Sequence, residues 1–417
     1  MEILENPWPT PFAPFIERRN FPPLTFKGPQ GSHSFSSGAP LNMYVCGITP
    51  YDATHLGHAA TYLTFDLINR YKRAAGNIVN FVENITDVDE PLFERANRDS
   101  LDWRDLGQSQ TDLYRNDMTA LRVFPPSYFV PVTQVMPLID RAIAAIVKNG
   151  YSYKVDGDLY FQTKEFLPEL PISESEAIEN FAQRGGDPER AGKEHPLDPV
   201  LWIANKEGEP GWQSSHGFGR PGWHVECCVI SLRYLLGENF LEGNKASETL
   251  IDIQGGGSDL IFPHHFMSAA QSKAMTGQKF AKAFVHTGMI GLDGEKMSKS
   301  KGNLVFVSKL LDQGVDPVVI RFALLQGHYS QDRMWSEEVL KKATSEVQEI
   351  RTSLAMMEVA PTELLISTLI DCLADDLNTA RFFIDLKTWV ADCHKGMGGG
   401  SAGELSRAMD SLLGLTF

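Results

Sequence analysis

The sequence predicts an α/β fold, in which a parallel sheet with insertions is followed by a C-terminal helical domain. Apolar runs suited to buried strands occupy residues 43–48 and 77–85, and a long helical pattern separates them. Such a strand–helix–strand unit forms a parallel pair with a right-handed crossover. A third strand pattern at 249–254 ends in three glycines, and the chain beyond residue 303 has an almost wholly helical pattern.

The elements of this unit have recognisable ends. Residues 1–40 are rich in proline, serine and glycine and predict an irregular arm. Pro50 ends the first strand, Asp52 or Thr54 is expected to cap the following helix, and Gly76 stops that helix. Further helices are predicted over 104–122, 134–149, 223–236 and 264–276, with a hairpin over 151–163 and a strand over 284–290.

These patterns divide the chain into three parts. An N-terminal arm (1–40) is followed by a Rossmann-like domain (41–303) with an inserted segment at about 90–222, and then by a helical C-terminal domain (304–417). Within the insertion, residues 184–222 are rich in glycine and proline, so we expect an irregular loop region that covers the site.

The composition indicates a globular protein without a membrane span. Of the 417 residues, 42% are hydrophobic and 22% are charged, and no run of about 18 apolar residues occurs. The N-terminus lacks a basic segment followed by an apolar one, and the five cysteines are an odd number, so we expect reduced thiols and a cytoplasmic location. The net charge of −15 disfavours extensive nucleic-acid binding, which needs clustered cations.

Two histidines at the start of the first long helix form the first half of a phosphate-binding pair. His55 and His58 are three residues apart, so their side chains project from one face of the first helical turn. The backbone N–H groups of that turn are unpaired and attract a phosphate, and Gly57 lets a nucleotide approach the backbone closely. The imidazoles can stabilise charge on an α-phosphate under attack. By itself, the pattern also fits two ordinary surface histidines.

Two lysines far downstream form the second half. Lys296 and Lys299 flank Met297 and Ser298 on a predicted loop. Two ammonium groups on a loop can hold the β- and γ-phosphates of ATP and the departing pyrophosphate. A solvated basic loop is the alternative for this segment alone, but the upstream histidine pair favours ATP handling.

Three residues between these motifs predict a metal site that binds a thiol. Cys46 lies at the end of the first strand, where ligands bind in open parallel sheets, Cys227 lies on the helix after residue 222, and His264 begins a later helix. Three such ligands leave one zinc position open for a substrate thiolate, and zinc prefers sulfur to a serine hydroxyl. Buried structural cysteines and a core histidine are the alternative. His265 is the other candidate ligand, but successive helical residues diverge by about 100°, so we expect only one imidazole to face the metal.

Two neighbours of Cys227 have different expected roles. Trp223 is one helical turn earlier, so it lines the cysteine pocket or packs in the core. Cys228 is expected to be a buried apolar residue and not a ligand.

These motifs together resemble a known family. The segment 43–58 resembles the opening of cysteinyl-tRNA synthetases, and it is more similar to their paralogues, the cysteine ligases of mycothiol biosynthesis. The segments 183–188, 221–227, 254–265 and 296–300 extend the resemblance in the same order over roughly residues 40–417. It implies a class I aminoacyl-tRNA synthetase catalytic domain with one Zn²⁺ per chain and with ATP·Mg²⁺ as a substrate.

The resemblance also implies roles for residues at matching positions. Cys46, Cys227 and His264 would be the zinc ligands, and His55, His58, Lys296 and Lys299 would be catalytic. Asp259 could also contact the cysteine ammonium, as its charge and place indicate. The adenylate and substrate would be framed by Cys46, Gly47, Ile48, Thr49, Thr61, Asn84, Ile85, Thr86, Trp223, Gly257, Ser258, Asp259 and Ile290.

Three features favour the ligase over the synthetase. Synthetases usually continue His-His-Glu-Asn-Glu, with the last glutamate near zinc, whereas here Phe266, Met267 and Ser268 follow His265. Only 117 of the 417 residues follow Ser300, which leaves little room for an added anticodon-binding domain. The chain is also acidic. Phe266 departs from the ligases as well, which often have an acidic residue there.

The expected reaction therefore has two steps. The carboxylate of L-cysteine attacks the α-phosphate of ATP·Mg²⁺, and the amine of glucosaminyl-inositol then attacks the cysteinyl-adenylate to form an amide. An amine nucleophile must be neutral, so a general base is expected among Asp87, Asp89 and His224. Arg184 and Asp187 are expected near the sugar, with a local ion pair on a surface loop as the alternative.

Two other functions remain open from the sequence. A compact cysteinyl-tRNA synthetase would charge tRNA, which the ligase interpretation disfavours as a partner. A non-catalytic paralogue would bind cysteine and ATP without turnover, against which the intact histidine and lysine motifs weigh. A monomer is favoured.

Overall fold

The computed structural model describes residues 1–17, 19–28, 31–206, 208–297 and 302–417. The described residues form strands β1 (Leu4–Glu5), β2 (Leu24–Gly28), β3 (Gly31–Phe35), β4 (Leu41–Ile48), β5 (Val79–Ile85), β6 (Tyr128–Pro131), β7 (Ser152–Val155), β8 (Asp158–Phe161), β9 (Val200–Ala204), β10 (Trp212–Ser214), β11 (Gly217–Pro221), β12 (Thr249–Gly257), β13 (Lys279–Thr287), β14 (Ile290–Leu292), β15 (Glu295–Lys296) and β16 (Arg333–Trp335).

The helices in chain order are α1 (Leu56–Ala74), α2 (Glu90–Asp99), α3 (Trp103–Ala120), α4 (Met136–Lys148), α5 (Glu174–Gln183), α6 (Trp223–Leu236), α7 (Phe266–Thr276), α8 (Val307–Asp312), α9 (Pro317–Leu325), α10 (Glu337–Leu354), α11 (Glu363–Ala374), α12 (Thr379–His394) and α13 (Ala402–Leu413). In the part of the chain that the structure describes, no helix is long and apolar enough to cross a membrane.

The main sheet confirms the predicted parallel unit. Its strand order is β1-β6-β5-β4-β12-β13, and β4 pairs in parallel with both β5 and β12. Met43 is opposite Phe81 on one side and Ile253 on the other, and all three side chains are buried. Helix α1 makes the crossover from β4 to β5, so the carboxyl ends of β4, β5 and β12 meet at one edge, where ligands bind in such sheets.

The insertion is more regular than we expected. Residues 184–222 contain β9, β10 and β11, which join the β7–β8 hairpin in a five-stranded antiparallel sheet. The glycines that suggested a loop allow close strand contact. A Cβ atom on Gly219 would lie 2.0 Å from the carbonyl oxygen of Ile203, and one on Gly222 would lie 2.0 Å from that of Val200.

One other expectation needs correction. The single strand predicted over 284–290 is two strands, because β13 ends at Thr287 and β14 begins at Ile290. Between them, Gly288 packs closely against the backbone of Gln331. The part of the chain described after residue 303 is almost wholly helical, as predicted, and its short strand β16 pairs in parallel with β14. The domain boundaries at residues 40 and 303 stay predictions.

A buried ionic cluster joins α1 to the C-terminal helices. Arg70 donates to Asp66 at 2.6 Å and also bonds the carbonyl oxygen of Asp410. Arg321 on α9 donates to Asp66 and to the carbonyl oxygen of Leu413. Burial alone would raise the pKa of Asp66, but the two guanidinium groups and a backbone donor hold it below its usual value. The helix that carries the two predicted phosphate-binding histidines is thereby anchored at its centre.

Candidate active site

The histidine pair lies at the very start of α1. The cap of this helix is His55, and not Asp52 or Thr54 as predicted, because His55 Nδ1 accepts the backbone N–H of Gly57 at 3.1 Å. The His55 and His58 rings stack with centroids 3.8 Å apart, which confirms that the two side chains share one face.

The chain on both sides of the lysine motif returns to this helix start. The backbone of Lys296 pairs with Gly291 in the β14–β15 hairpin, whereas Lys299 lies outside the described residues. Downstream, Leu56 N–H donates to the carbonyl oxygen of Val305 at 2.9 Å, and Val307 N–H donates to that of Thr54 at 3.0 Å. These bonds bring the segment that follows the lysine motif against the two histidines.

The three predicted metal ligands converge in the interior. Ligand atoms of Cys46, Cys227 and His264 all lie within 4.8 Å of one another, and all three residues are buried. The Nδ1 atom of His264 lies 3.0 Å from Nδ1 of His224, whereas its buried Nε2 atom has no hydrogen-bond partner among the described residues. A buried imidazole nitrogen beside two thiols is a ready metal ligand, and the second nitrogen is oriented by a neighbour.

Local backbone irregularities orient the side chains of the predicted metal ligands. The pairing of β4 with β5 shifts register between Val45 and Ile48, so Cys46 and Gly47 lie at a bulge. The N–H of Gly47 donates at 2.7 Å to the side-chain oxygen of Asn84 on the neighbouring strand β5, instead of to a backbone carbonyl of that strand. No side chain fits at Gly47, because a Cβ atom would lie 1.8 Å from the carbonyl oxygen of Asn84.

His264 is placed by a kink before α7. Phe262 is extended within an otherwise helical segment (φ −142°, ψ 137°), and its carbonyl oxygen accepts from Arg184. The Trp223 ring stacks on the His264 ring with centroids 4.0 Å apart and planes 21° apart. Trp223 therefore contacts the predicted metal ligand His264 directly. A role in core packing alone would not require this contact.

The two thiols of the cluster differ in their electrostatics. Burial, together with the adjacent Cys227, raises the pKa of Cys46 well above its usual value. Burial would also raise the pKa of Cys227, but contacts with Cys46 and His264 hold it well below the usual range. The geometry thus suits a thiolate, the form in which cysteine binds metals. Cys228 is buried, and burial raises its pKa, as expected of an apolar core residue.

The second imidazole also faces this region. His265 Nε2 lies 3.2 Å from Cys46 Sγ, and His265 Nδ1 lies 2.8 Å from His286 Nε2. Among the described residues, His264 and not His265 joins Cys46 and Cys227 in the group of ligand atoms within 4.8 Å of one another, so a single metal-facing imidazole stays the prediction. The two rings approach Cys46 and Cys227 from a kinked π-helical segment at residues 261–265. Sequence reasoning missed His286, whose only signal is its place in a strand that alternates buried and exposed positions.

The predicted adenylate contacts surround the same edge of the sheet. Asn84 accepts from Tyr44 at 2.9 Å and donates to Thr86 at 2.8 Å. The hydroxyl of Thr61 donates to the carbonyl oxygen of Gly57, within α1. The remaining predicted contacts lie at the ends of β4, β5 and β12, in the turn after β12 and at the start of β14: Ile48, Thr49, Ile85, Gly257, Ser258, Asp259 and Ile290.

The three candidate bases have different surroundings. Asp87 is buried and accepts from both the backbone and the hydroxyl of Thr133. Asp89 caps α2, and burial raises its pKa to about 6. The third candidate, His224, is buried against His264, and burial lowers its pKa well below the usual value.

The two residues expected near the sugar make contacts within the protein. Arg184 is bonded to the kink at Phe262, as described above. Asp187 accepts from Tyr160 and from Lys193, the latter at 2.9 Å. Asp187 therefore forms a local ion pair with Lys193, which was the alternative to a role near the sugar.

Similar proteins fit this geometry. Residues 34–345 match the family described as tRNA synthetases class I (C) catalytic domain. The L-cysteine:1D-myo-inositol 2-amino-2-deoxy-alpha-D-glucopyranoside ligase of Gordonia bronchialis is 50% identical over 391 residues, covering 91% of each chain. The ligase of the same name from Tsukamurella paurometabola is 46% identical over 422 residues, covering 98% of each chain.

Solved structures support the fold. The Mycobacterium tuberculosis methionyl-tRNA synthetase in complex with methionyl-adenylate superposes with a TM-score of 0.61 at 19% identity, covering 90% of this chain and 88% of that one. Fold, motif order and sequence identity agree. The chain therefore belongs to the class I (C) tRNA synthetase catalytic domain family and, within it, to the L-cysteine:1D-myo-inositol 2-amino-2-deoxy-alpha-D-glucopyranoside ligases.

Proposed function

We propose that this enzyme joins the carboxyl group of L-cysteine to the amine of glucosaminyl-inositol through a cysteinyl-adenylate, as a step of mycothiol biosynthesis. The observation that carries the proposal is the buried cluster of Cys46, Cys227 and His264 at the carboxyl edge of the sheet that also carries the stacked His55–His58 pair. The cluster suits recognition of a thiol, and the pair suits activation by ATP.

In the first step, the cysteine carboxylate attacks the α-phosphate of ATP and pyrophosphate leaves. The imidazoles of His55 and His58 and the N–H groups of the first turn of α1 stabilise the charge that develops on the α-phosphate. Lys296 and Lys299 hold the β- and γ-phosphates as pyrophosphate departs. Mg²⁺ enters with ATP as part of the substrate.

Selection of cysteine is assigned to the metal cluster. Two thiols and a buried imidazole nitrogen without a partner among the described residues are the donor set that zinc prefers. Bound zinc would supply a soft Lewis acid that prefers a substrate thiolate to a serine hydroxyl. Trp223 stacks on His264, and the carboxylate of Asp259 would contact the substrate ammonium.

In the second step, the neutral sugar amine attacks the activated carbonyl carbon and AMP leaves with the electron pair of the broken C–O bond. The nitrogen then loses a proton to a base. Of the three candidates, Asp89 is the most suitable, because its side chain lies 3.4 Å from the Thr49 hydroxyl beside the expected adenylate. His224 is held against His264, and both oxygens of Asp87 accept from Thr133.

The test is AMP formation from ATP, Mg²⁺ and L-cysteine, with glucosaminyl-inositol or cysteine tRNA added in parallel. We expect stimulation and an amide product only with the sugar. Acylation of the tRNA alone would identify a compact cysteinyl-tRNA synthetase, and ligand binding without AMP formation would identify a non-catalytic paralogue.

A further inference from the structure

A cavity of about 210 Å³ lies where α3, the loop after β5 and the inserted sheet meet. Trp103 and Arg104 come from the first turn of α3, and Trp212 comes from β10. The remaining wall is formed by Met1, Asp87, Thr133 and Gln134, and the Gln134 side chain donates to the Met1 carbonyl oxygen at 2.7 Å. Asp87 is one of the candidate bases considered above, and none of the lining residues belongs to the predicted adenylate contacts or the metal cluster, so the cavity has no assigned role in the first step of the reaction.

The cavity combines flat apolar rings with hydrogen-bonding groups. The Trp103 and Trp212 rings are 6.5 Å apart and 77° apart in plane, and the Arg104 guanidinium covers Trp103 at 4.3 Å. Asp87 keeps acceptor capacity beyond its bonds to Thr133, because a carboxylate has about four lone-pair sites. Ring faces beside a few convergent polar groups suit a polyhydroxylated ring, whose C–H face is apolar and whose rim carries hydroxyl groups.

One wall of the cavity is continuous with the expected adenylate site. Asp87 directly follows Thr86, which is one of the predicted adenylate contacts. Two residues later, Asp89 Oδ2 lies 3.4 Å from the hydroxyl of Thr49, another of them. The cavity therefore adjoins the expected adenylate site at the segment 86–89.

We propose that the cavity binds one polyhydroxylated ring of the acceptor, with the acceptor amine directed toward Asp89 and Thr49. This inference rests on the proposed function, because it assigns the subsite of the second substrate. The sugar was first expected near Arg184 and Asp187, and the cavity is a different place. The side chains of these two residues are bonded to Phe262, Tyr160 and Lys193. Trp212 is therefore a specificity residue for the sugar, supplied by the inserted sheet.

The test separates the two half-reactions in the full-length, zinc-loaded enzyme. Cysteine-dependent ATP–pyrophosphate exchange needs no sugar, whereas amide formation does. We expect Trp212→Ala to raise the KM for glucosaminyl-inositol at least about tenfold. The exchange rate and the KM for cysteine should stay within about twofold. The same split is expected of Gln134→Ala, which keeps the experiment decisive if Trp212→Ala does not fold.

Phe218→Ala is the matched control, since Phe218 is an aromatic residue of the adjacent strand, is 51% exposed and does not line the cavity. We expect it to change neither half-reaction. If amide formation is intact in the wild type and both Trp212→Ala and Gln134→Ala keep the wild-type KM for the sugar, the subsite is overturned while the function stands. A wild-type enzyme that performs exchange but never acylates the sugar would overturn the proposed function, and this subsite with it.

Discussion

The metal cluster and the nucleotide-binding helix start lie at the same edge of one sheet, but they are built differently. Cys46, Cys227 and His264 are each no more than 6% exposed and are held by a strand bulge, a helix and a kink. His55 and His58 are only partly buried, and the segment that completes their site is tied on by backbone bonds of Thr54 and Leu56. The proposed site for amino-acid choice is thus preformed, whereas the proposed ATP site is assembled from two distant segments.

The largest expected effect tests the preformed half. Cys227→Ala removes one of three ligands from a buried cluster, and we expect loss of bound zinc together with cysteine-dependent ATP–pyrophosphate exchange, because the remaining pair cannot form a closed site. Metal content per chain, measured by plasma emission, and exchange rate are the two readouts.

The adjacent cysteine supplies the control. Cys228 is equally buried but does not belong to the cluster, so Cys228→Ala should keep its zinc and lose only some stability. Full retention of zinc and of exchange in Cys227→Ala would remove the metal assignment. Loss of zinc in both variants would mean that packing, and not ligation, holds the site.

The second prediction concerns the assembled half. Lys299→Ala should lower the exchange rate by about 10²–10³, the usual cost of losing one charged stabilising group at a reacting phosphate. Zinc content should remain at the wild-type level, since none of the three predicted ligands lies in this segment. Lys279→Ala is a suitable control. Lys279 is the first residue of β13, at the end of that strand farther along the chain from the lysine motif, and it is exposed. An unchanged exchange rate would withdraw the role assigned to Lys299.

The sequence predicted the preformed half more completely than the assembled half. Strand β4, helix α1 and strand β5 could be predicted because their apolar periodicity reflects burial in one core. The convergence of Cys46, Cys227 and His264 was predicted from residue types and motif order, and His265 was weighed as their neighbour. The contact of His265 with His286 was not predicted, because a π-helical kink cannot be read from periodicity. The inserted sheet was mistaken for loops, since glycines that permit close strand pairing have the same composition as turns.

The third prediction tests the rigidity of the wall behind Cys46. The Tyr62 hydroxyl donates to the Cys46 carbonyl oxygen at 3.3 Å, and nearby Tyr114 donates to Glu83 at 3.0 Å. Burial raises the pKa of Glu83 to about 8, from 4.5 in an exposed chain. The folded state thus keeps a proton that the unfolded state releases, so stability is greatest below about pH 4.5 and falls as the pH rises to about 8.

Glu83→Gln keeps the shape and the acceptor but removes this titration. At pH 9, we expect the free energy of unfolding of the variant to exceed that of the wild type by about 3–5 kcal/mol at most, which raises its urea midpoint. This difference should disappear toward pH 4.5. Urea midpoints at several pH values measure the difference. A constant offset between the two proteins at every pH would show that folding does not shift the pKa of Glu83.

The smallest expected effect lies at the boundary between the two halves, on the ring that covers His264. Trp223→Phe preserves an aromatic face against the imidazole but shortens it, so zinc should be retained while the KM for cysteine rises by roughly three- to tenfold. Trp223→Ala removes the stacking surface and should raise that KM further. If Trp223→Phe also loses zinc, the ring positions the ligand and the cluster is less preformed than its burial implies. If neither variant changes the KM for cysteine, Trp223 is a packing residue, and the pocket is defined by the metal cluster alone.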